Sequence, residues 1–445
     1  MDIVQRVRKA GVVGAGGAGF PTHVKLQARV DTVIVNGAEC EPLLANDKYL
    51  MERESDKVVR GLEYMMQCCG ASHGYIALKE KYIEPRSNLE LALGSRNDIQ
   101  LYALEDYYPA GDEFLLVHEV TGRIVKEGGI PLDVGCVVDN VETVVNICDA
   151  VEQERPVTTR YLTCTGEVRY PSVVRAHVGS TIGEVIDLCG GATVENPVTV
   201  LGGPMMGRVE TDMETPVTKT VSAIMVLPRD HGLVQKKTMP LEFIVKQCKS
   251  VCCQCTYCTE LCPRHLLGHD LDPHRIMRQI GLGLDVPASV IRNAVLCSGC
   301  GLCAVYACTM GLSPHVVNTT IKQRLQAVGY RQDFEKREIT VNEMKEYRRI
   351  PTSRIVERLQ LHHYLERGLR RGVETDPIRV EILLGQHVGK PSKPVVQVGD
   401  GVRQGELIAD IPEGAEGALG AAIHASIDGR VTLVDDERVM IERRG

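Results

Sequence analysis

Runs of apolar residues change their period along the chain, and the changes mark out its parts. TVIV, residues 32–35, is a short continuous apolar run that ends in the polar turn NGAECEP, residues 36–42, which predicts a strand followed by a loop. VVRGLEYMMQCC, residues 58–69, places apolar positions at helical spacing. GYIALK and IQLYAL, residues 74–79 and 99–104, have strand character, with a second helical stretch between them. This alternation predicts an α/β domain around a largely parallel sheet. Cys68 and Cys69 lie on the first helix with no histidine or acid at ligand spacing, and they read as core.

The pattern shifts after ERP, residues 154–156. Residues 159–227 give TRYLTCTGEV, a valine-rich strand, VGSTIGEVIDLCGG and VTVLGGPMMG, a small unit of strands with one helix in which Met205 and Met206 read as packing residues. MPLEFIVKQC, residues 239–248, returns to helical spacing, with a proline in the first turn. Residues 326–372 are charge-rich and largely helical, predicting a solvated connector. Beyond them, short strands are broken by Gly-Asp and Asp-Gly turns.

Composition narrows the setting. The chain has 445 residues, enough for three or four domains. Its seventeen cysteines lack the spacing of an extracellular disulfide framework, and no signal peptide is evident, so the expected location is cytoplasmic. A net charge of -7 with scattered basic residues gives no reason to expect nucleic acid as a partner. No apolar run approaches the roughly eighteen residues of a membrane span.

The strongest chemical signal lies in two cysteine runs. The first reads Cys252-x2-Cys255-x2-Cys258-x3-Cys262-Pro263, and the second Cys297-x2-Cys300-x2-Cys303 followed by Cys308. Three thiolates at this spacing wrap three corners of a cubane, and the fourth ligand in two-cluster ferredoxins comes from the other run. The expected sets are therefore Cys252, Cys255, Cys258 and Cys308 on one [4Fe-4S] cluster, and Cys297, Cys300, Cys303 and Cys262 on the other. A structural zinc site needs only four sulfurs in paired groups. Cys253 leaves a slipped assignment open, its plainer reading being a buried non-ligating thiol. His265, His269, His274 and His315 lie nearby, but complete cysteine sets leave them outside the ligand shell.

A second signal is GVVGAGGAGFPTHVKL, residues 11–26. Gly14, Gly16, Gly17 and Gly19 remove side chains where backbone amides can approach a phosphate, although a glycine-rich loop alone is weak. The turn after the first strand adds Asn36, whose amide can meet a heterocycle edge, and Glu41, which can meet ribose hydroxyls; a plain turn with solvated acids is the alternative.

These stretches resemble the flavin-binding subunit of respiratory NADH dehydrogenase and, more fully, the RnfC family of Rnf electron-transport complexes, in the GGAGFPT loop, the following lysine and the asparagine-acid segment. The resemblance implies FMN, with its phosphate near residues 14–19 and Lys25 and its ring near Asn36 and Glu39. NADH would stack over it near Phe20 and Glu41. Gly111, Asp112 and Glu113 match a glycine and two acids of the respiratory protein, Asn140 and Thr143 match the segment closing the pocket, and Lys126 is a candidate for NADH phosphate. Ala38 departs from the pattern where an aspartate would stand.

Resemblance also assigns the domains: a respiratory-type FMN/NADH-binding α/β domain (1–155), a soluble-ligand-binding β-grasp domain (156–235), a two-cluster ferredoxin-like helical module (236–325), a helical connector (326–372) and a barrel-sandwich hybrid (373–445). The fold class is thus multidomain α/β and α+β. In the last domain Ser426-Ile427-Asp428-Gly429 occupies the turn that would carry a lipoyl or biotinyl lysine, and no lysine is there. A barrel-sandwich domain after the clusters resembles the corrin reductase family of the propanediol-utilisation microcompartment. That implies an oxidoreductase passing NADH electrons to cobalamin, with an adenosyltransferase as partner and a bacterial microcompartment as setting. The alternatives are an electron-input component for another redox enzyme, such as a methylenetetrahydrofolate reductase, or a noncatalytic electron-transfer adaptor.

Overall fold

The computed structural model describes residues 1–283, 287–334, 337–412 and 419–443. Its first sheet is wholly parallel, in the order Ile99–Leu104, His73–Lys79, Thr32–Gly37, Cys136–Asn140. A parallel sheet needs cover on both faces, which explains the continuous apolar run at its centre. Val33 and Val35 face a core shared with helices Ser55–Cys69 and Val141–Glu152, while Ile34 faces Leu116 and Val117 of helix Glu113–Thr121. The two long helices cross closely because of Gly61. A Cβ there would lie 2.2 Å from the Val144 carbonyl oxygen.

The second sheet is mixed, in the order Arg370–Glu374, Ser172–His177, Thr159–Gly166, Ala223–Pro228, Pro197–Leu201, Arg208–Glu210, with the first and the middle pairs parallel. Helix Ile182–Leu188 begins at a capping box between Thr181 and Glu184 and lays Ile182, Val185 and Ile186 over the sheet. This is the β-grasp unit, extended by a strand from far along the chain.

That strand begins in the segment expected to be a solvated connector, and the expectation is corrected in part. Most of the segment's described residues are exposed, but residues 350–364 carry a buried stripe. Helix Thr352–Arg358 buries Ile355 and Val356, and Leu359, Leu361 and Tyr364 join Tyr108, Met205, Leu302 and Val305 in one core. Ile350–Pro351 pairs antiparallel with Tyr107–Tyr108. Apolar residues among many charges here form a buried stripe, and the charges take its outer side.

Between the β-grasp strands and this segment lies the cysteine-rich module, built from helices including Leu241–Val251, Pro273–Leu282 and Pro314–Ala327. The last domain has a sheet ordered Arg379–Leu383, Arg438–Glu442, Gly429–Val434, Gly401–Val402 facing a smaller one ordered Lys393–Pro394, Leu407–Asp410, Ile423–His424. Ile382, Ile408, Ile423, Val431 and Ile441 fill its core. Ser426 donates to the Val178 carbonyl at 2.6 Å, so the turn without a lysine is seated on the β-grasp unit. Lys219 fastens the junction: its Nζ donates to the carbonyls of Gly11 (2.8 Å) and Ala422 (3.0 Å), one in the first domain and one in the last. Among the described residues no helix is long and apolar enough to cross a membrane.

Candidate functional site

The glycine loop is a closed turn: Gly14 N–H donates to the Phe20 carbonyl at 2.8 Å, and Gly19 N–H to that of Gly14 at 3.2 Å. Ala15 is held from two sides. Its N–H donates to Thr143 Oγ1 at 2.8 Å, and its carbonyl accepts from Arg160 at 2.7 Å. Arg160 rises from the β-grasp strand Thr159–Gly166 and pairs with Glu142 at 2.7 Å, both side chains being almost fully buried. The β-grasp unit thereby helps to build the first domain's cleft.

That cleft has a volume of about 440 Å³, and Gly14, Gly16, Phe20, Lys25, Asn36, Glu39, Glu41, Gly111, Asp112, Glu113 and Asn140 all line it. Lys25 Nζ donates to the Val138 carbonyl (2.7 Å) and lies 3.2 Å from Asp139 and 3.6 Å from Glu113. Burial alone would lower its pKa, but the two carboxylates raise it. Asn36 donates to the Gly111 carbonyl at 2.9 Å, tying strand to loop. Asn140 caps helix Val141–Glu152 by accepting from Glu142 N–H at 2.9 Å and donates to Asp47 at 2.7 Å. Asp112 caps helix Glu113–Thr121 and accepts from Arg264 at 2.6 Å.

The two acids of the turn engage protein backbone. Glu39 accepts from Asp47 and Lys48 N–H at 2.9 and 3.1 Å, and burial, then Asp47, raise its pKa. Glu41 accepts from Met205 and Met206 N–H at 2.9 and 2.8 Å, so it ties the turn to the β-grasp unit rather than offering a free carboxylate to a ribose. Met205 packs as expected, whereas Met206 is exposed at the cleft. Four expected residues stand back. Thr143 acts through Ala15, Gly17 is exposed, Gly19 abuts Thr220 and His387, and Lys126 is exposed outside the cleft.

The residues fit a flavin mononucleotide. A Cβ on Gly16 would meet only Asn140 Cβ, at 3.6 Å, so the loop turns bare backbone to open space beside the cations Lys25 and Arg160. Phe20, Leu44 and Pro109 give apolar walls, and Asp139 Oδ2 is buried without a hydrogen-bond partner where a ligand donor could meet it.

Cys252, Cys255, Cys258 and Cys308 line one void. Cys253, expected to be buried, follows helix Leu241–Val251, is exposed and lines the same void. Cys262, Cys297, Cys300 and Cys303 form the other group. Burial first, then the neighbouring thiols, push Cys262 up to about 12 and Cys303 well above its ordinary value. Thiols so placed ionise together only around a cationic centre, which fits an iron–sulfur core. Among the described residues no three His, Cys, Asp or Glu side chains stand at the spacing of a single metal ion. The histidines hold the scaffold: His269 meets the Val125 carbonyl at 2.9 Å, His274 meets Thr259 at 2.7 Å and His265 meets Asp272 at 3.2 Å.

Cys300 also lines the flavin-sized cleft, and Tyr108 donates to its carbonyl at 2.7 Å. Sequence reasoning missed Tyr108, Arg160 and Arg264. The one available signal was an arginine inside the otherwise apolar strand RYLTC.

Comparisons with known proteins agree with this arrangement. Residues 7–149 match the Nuo51 FMN-binding domain, 161–209 the SLBB domain, 251–313 the 4Fe-4S dicluster domain and 372–444 the RnfC barrel sandwich hybrid domain. Domain composition and relatives define an NADH-dependent flavin and iron–sulfur oxidoreductase. The chain is 43% identical over 441 residues to cobalamin reductase PduS of Citrobacter freundii, covering 99% of this chain and 96% of that one. It is 43% identical over 442 residues to PduS of Salmonella typhimurium, with the same coverage. It belongs to the cobalamin reductase PduS family. A component of the Na(+)-translocating ferredoxin:NAD(+) oxidoreductase complex of Acetobacterium woodii is 37% identical over 269 residues, 59% of this chain and 58% of that one.

Proposed function

We propose that this chain oxidises NADH at an FMN held in the cleft and delivers the electrons singly, through two [4Fe-4S] clusters, to cobalamin. The observation that carries the reading is Cys300, which lines the cleft on one side and belongs to the Cys262 group on the other. Bound FMN accepts a hydride and returns the electrons one at a time.

The chain's own residues bind and orient. Backbone at Gly14 and Gly16, with Lys25 and Arg160, holds the phosphate, while Gly17 and Gly19 turn the loop. Asn36 and the backbone at Glu39 meet the ring edge. Phe20, Gly111, Asp112 and Glu113 form the wall on which NADH stacks, and Asn140 and Thr143 lock the loop. Glu41 acts by fixing the turn, and Lys126 stands outside the cleft.

Cys262, Cys297, Cys300 and Cys303 would hold the cluster beside the cleft, which would supply a one-electron carrier there. Cys252, Cys255, Cys258 and Cys308 would hold the second cluster, and Cys258 is near enough to Cys303 to perturb it. Exposure of Cys253 and Cys255 opens this second site to solvent and to an acceptor. The setting proposed is the cytoplasm, within a bacterial microcompartment.

The test is anaerobic incubation with NADH, cob(II)alamin and an adenosyltransferase, and the expected product is adenosylcobalamin. Failure while an artificial acceptor is still reduced by NADH would overturn the acceptor and leave the electron path. The similarity to a component of the Acetobacterium woodii complex favours a second reading, an electron-input component for another soluble redox enzyme such as a folate reductase. It predicts that affinity purification recovers that enzyme repeatedly, without an adenosyltransferase.

A further inference from the structure

Two cations reach the cysteine group beside the cleft from different elements, and a third stands between the two groups. Arg264, in helix Pro263–Leu266, is 8% exposed; its guanidinium lies 4.0 Å from the Phe114 ring centroid and acts on the Cys262 and Cys297 thiols. Lys322, in helix Pro314–Ala327, donates to the Cys297 carbonyl at 2.8 Å. Lys236, in helix Gly232–Lys237, donates to the Ala304 carbonyl and stands between the groups, within the field of Cys303 and Cys308. Among the described residues no lysine or arginine hydrogen-bonds the backbone of Cys252, Cys255, Cys258 or Cys308, as Lys322 does that of Cys297. One acid opposes the cations, Asp112, which pairs with Arg264 and acts on Cys300.

We propose that Arg264 and Lys322 form a cationic collar that raises the reduction potential of the cleft-side cluster relative to the outer one. Reducing a cluster adds one electron and no proton, so the assembly of core and four thiolates becomes one charge more negative. Nearby cations stabilise that form, and they do so more strongly away from water. NADH supplies the electrons two at a time and becomes NAD⁺ with release of a proton. The cleft-side cluster then keeps the first electron close to the flavin while the second is still to be passed on. These are positioning residues, acting on the clusters through charge rather than touching a reacting atom.

The inference rests on the cluster assignment above, so the experiment reads that separately. EPR-monitored potentiometric titration of anaerobic holoprotein, with iron content measured on the same samples, gives both cluster signals and both midpoints. Arg264→Gln leaves Asp112 uncompensated and should move the cleft-side midpoint clearly negative, with the outer midpoint moving less. Lys322→Gln should shift it in the same direction by a smaller amount. Arg264→Lys should restore most of the shift, and Asp112→Asn should move the midpoint positive. Absence of two cluster signals in the unsubstituted chain would sink the cluster assignment itself. With both signals present, unmoved midpoints, equal shifts on both clusters, or loss of the cleft-side cluster in every variant would overturn the collar.

Discussion

The Tyr108 hydroxyl donates to the Cys300 carbonyl oxygen across 2.7 Å, joining the flavin-domain loop to a cysteine of the dicluster module. Tyr108 is 1% exposed and packs with Leu302 and Val305. Tyr108→Phe keeps the ring and leaves that carbonyl without its partner, at a cost of about 1–2 kcal/mol. The expected result is lower thermal stability with FMN and iron retained. In stopped-flow experiments NADH should reduce the flavin at an unchanged rate, while reoxidation of the flavin by the clusters slows.

Arg160 and Glu142 are an ion pair sealed between two domains. Arg160→Met strands Glu142 in the interior, and breaking one side of such a pair costs about 3–5 kcal/mol. Urea unfolding should register this, and adding Glu142→Gln should recover part of it. Additive losses in the double variant would show that the two do not act as a pair.

Gly16 faces the cleft with only an ordinary contact to Asn140 Cβ, whereas Gly17 has a φ of +104° and any substitution there is confounded by backbone strain. Gly16→Asp should therefore expel FMN by bulk and negative charge while both clusters remain. Unchanged flavin content would remove the loop from the phosphate site.

Two clusters correspond to about eight iron and eight acid-labile sulfide per chain. Cys262→Ser should damage the cluster beside the cleft, and Cys308→Ser the outer one. The reverse pattern, read by iron analysis and EPR, would favour ligation of each cluster within its own run.

Much of this was legible because the chemistry is local. The cysteine spacing prescribes two thiol groups, and Cys308 does stand with the first run around one void. The parallel sheet was legible because buried strands need continuous apolar runs. Glu41 was misjudged for a physical reason: an acid in a turn looks free until the amides of Met205 and Met206, far along the chain, engage both its oxygens. Arg264 and Tyr108 were invisible on the same ground, since their partners lie in other domains, and Arg160 left only its charge within strand Thr159–Gly166 as a signal. The apolar stripe from Ile350 to Tyr364 was hidden by the charges between its members.

Lys219 carries a pH dependence. Burial pulls its ammonium pKa down to about 7, against about 10.4 in an unfolded chain. Between those values the unfolded chain holds a proton that the folded chain has released, so this group's contribution to stability rises with pH across the window. Below it, the full penalty of the buried charge applies. The melting temperature of the natural chain minus that of Lys219→Met should increase from about pH 6 to about pH 9. A flat difference would mean that the three-domain junction keeps the ammonium charged throughout.

The dicluster module leaves the β-grasp sheet after Ala223–Pro228, and the chain re-enters the same sheet at Arg370–Glu374. An excursion moored at both ends to one rigid surface has little freedom to swing. Transfer between cleft and clusters should therefore proceed by tunnelling at a fixed separation, and its rate should stay the same when sucrose or glycerol raises the viscosity of the solvent.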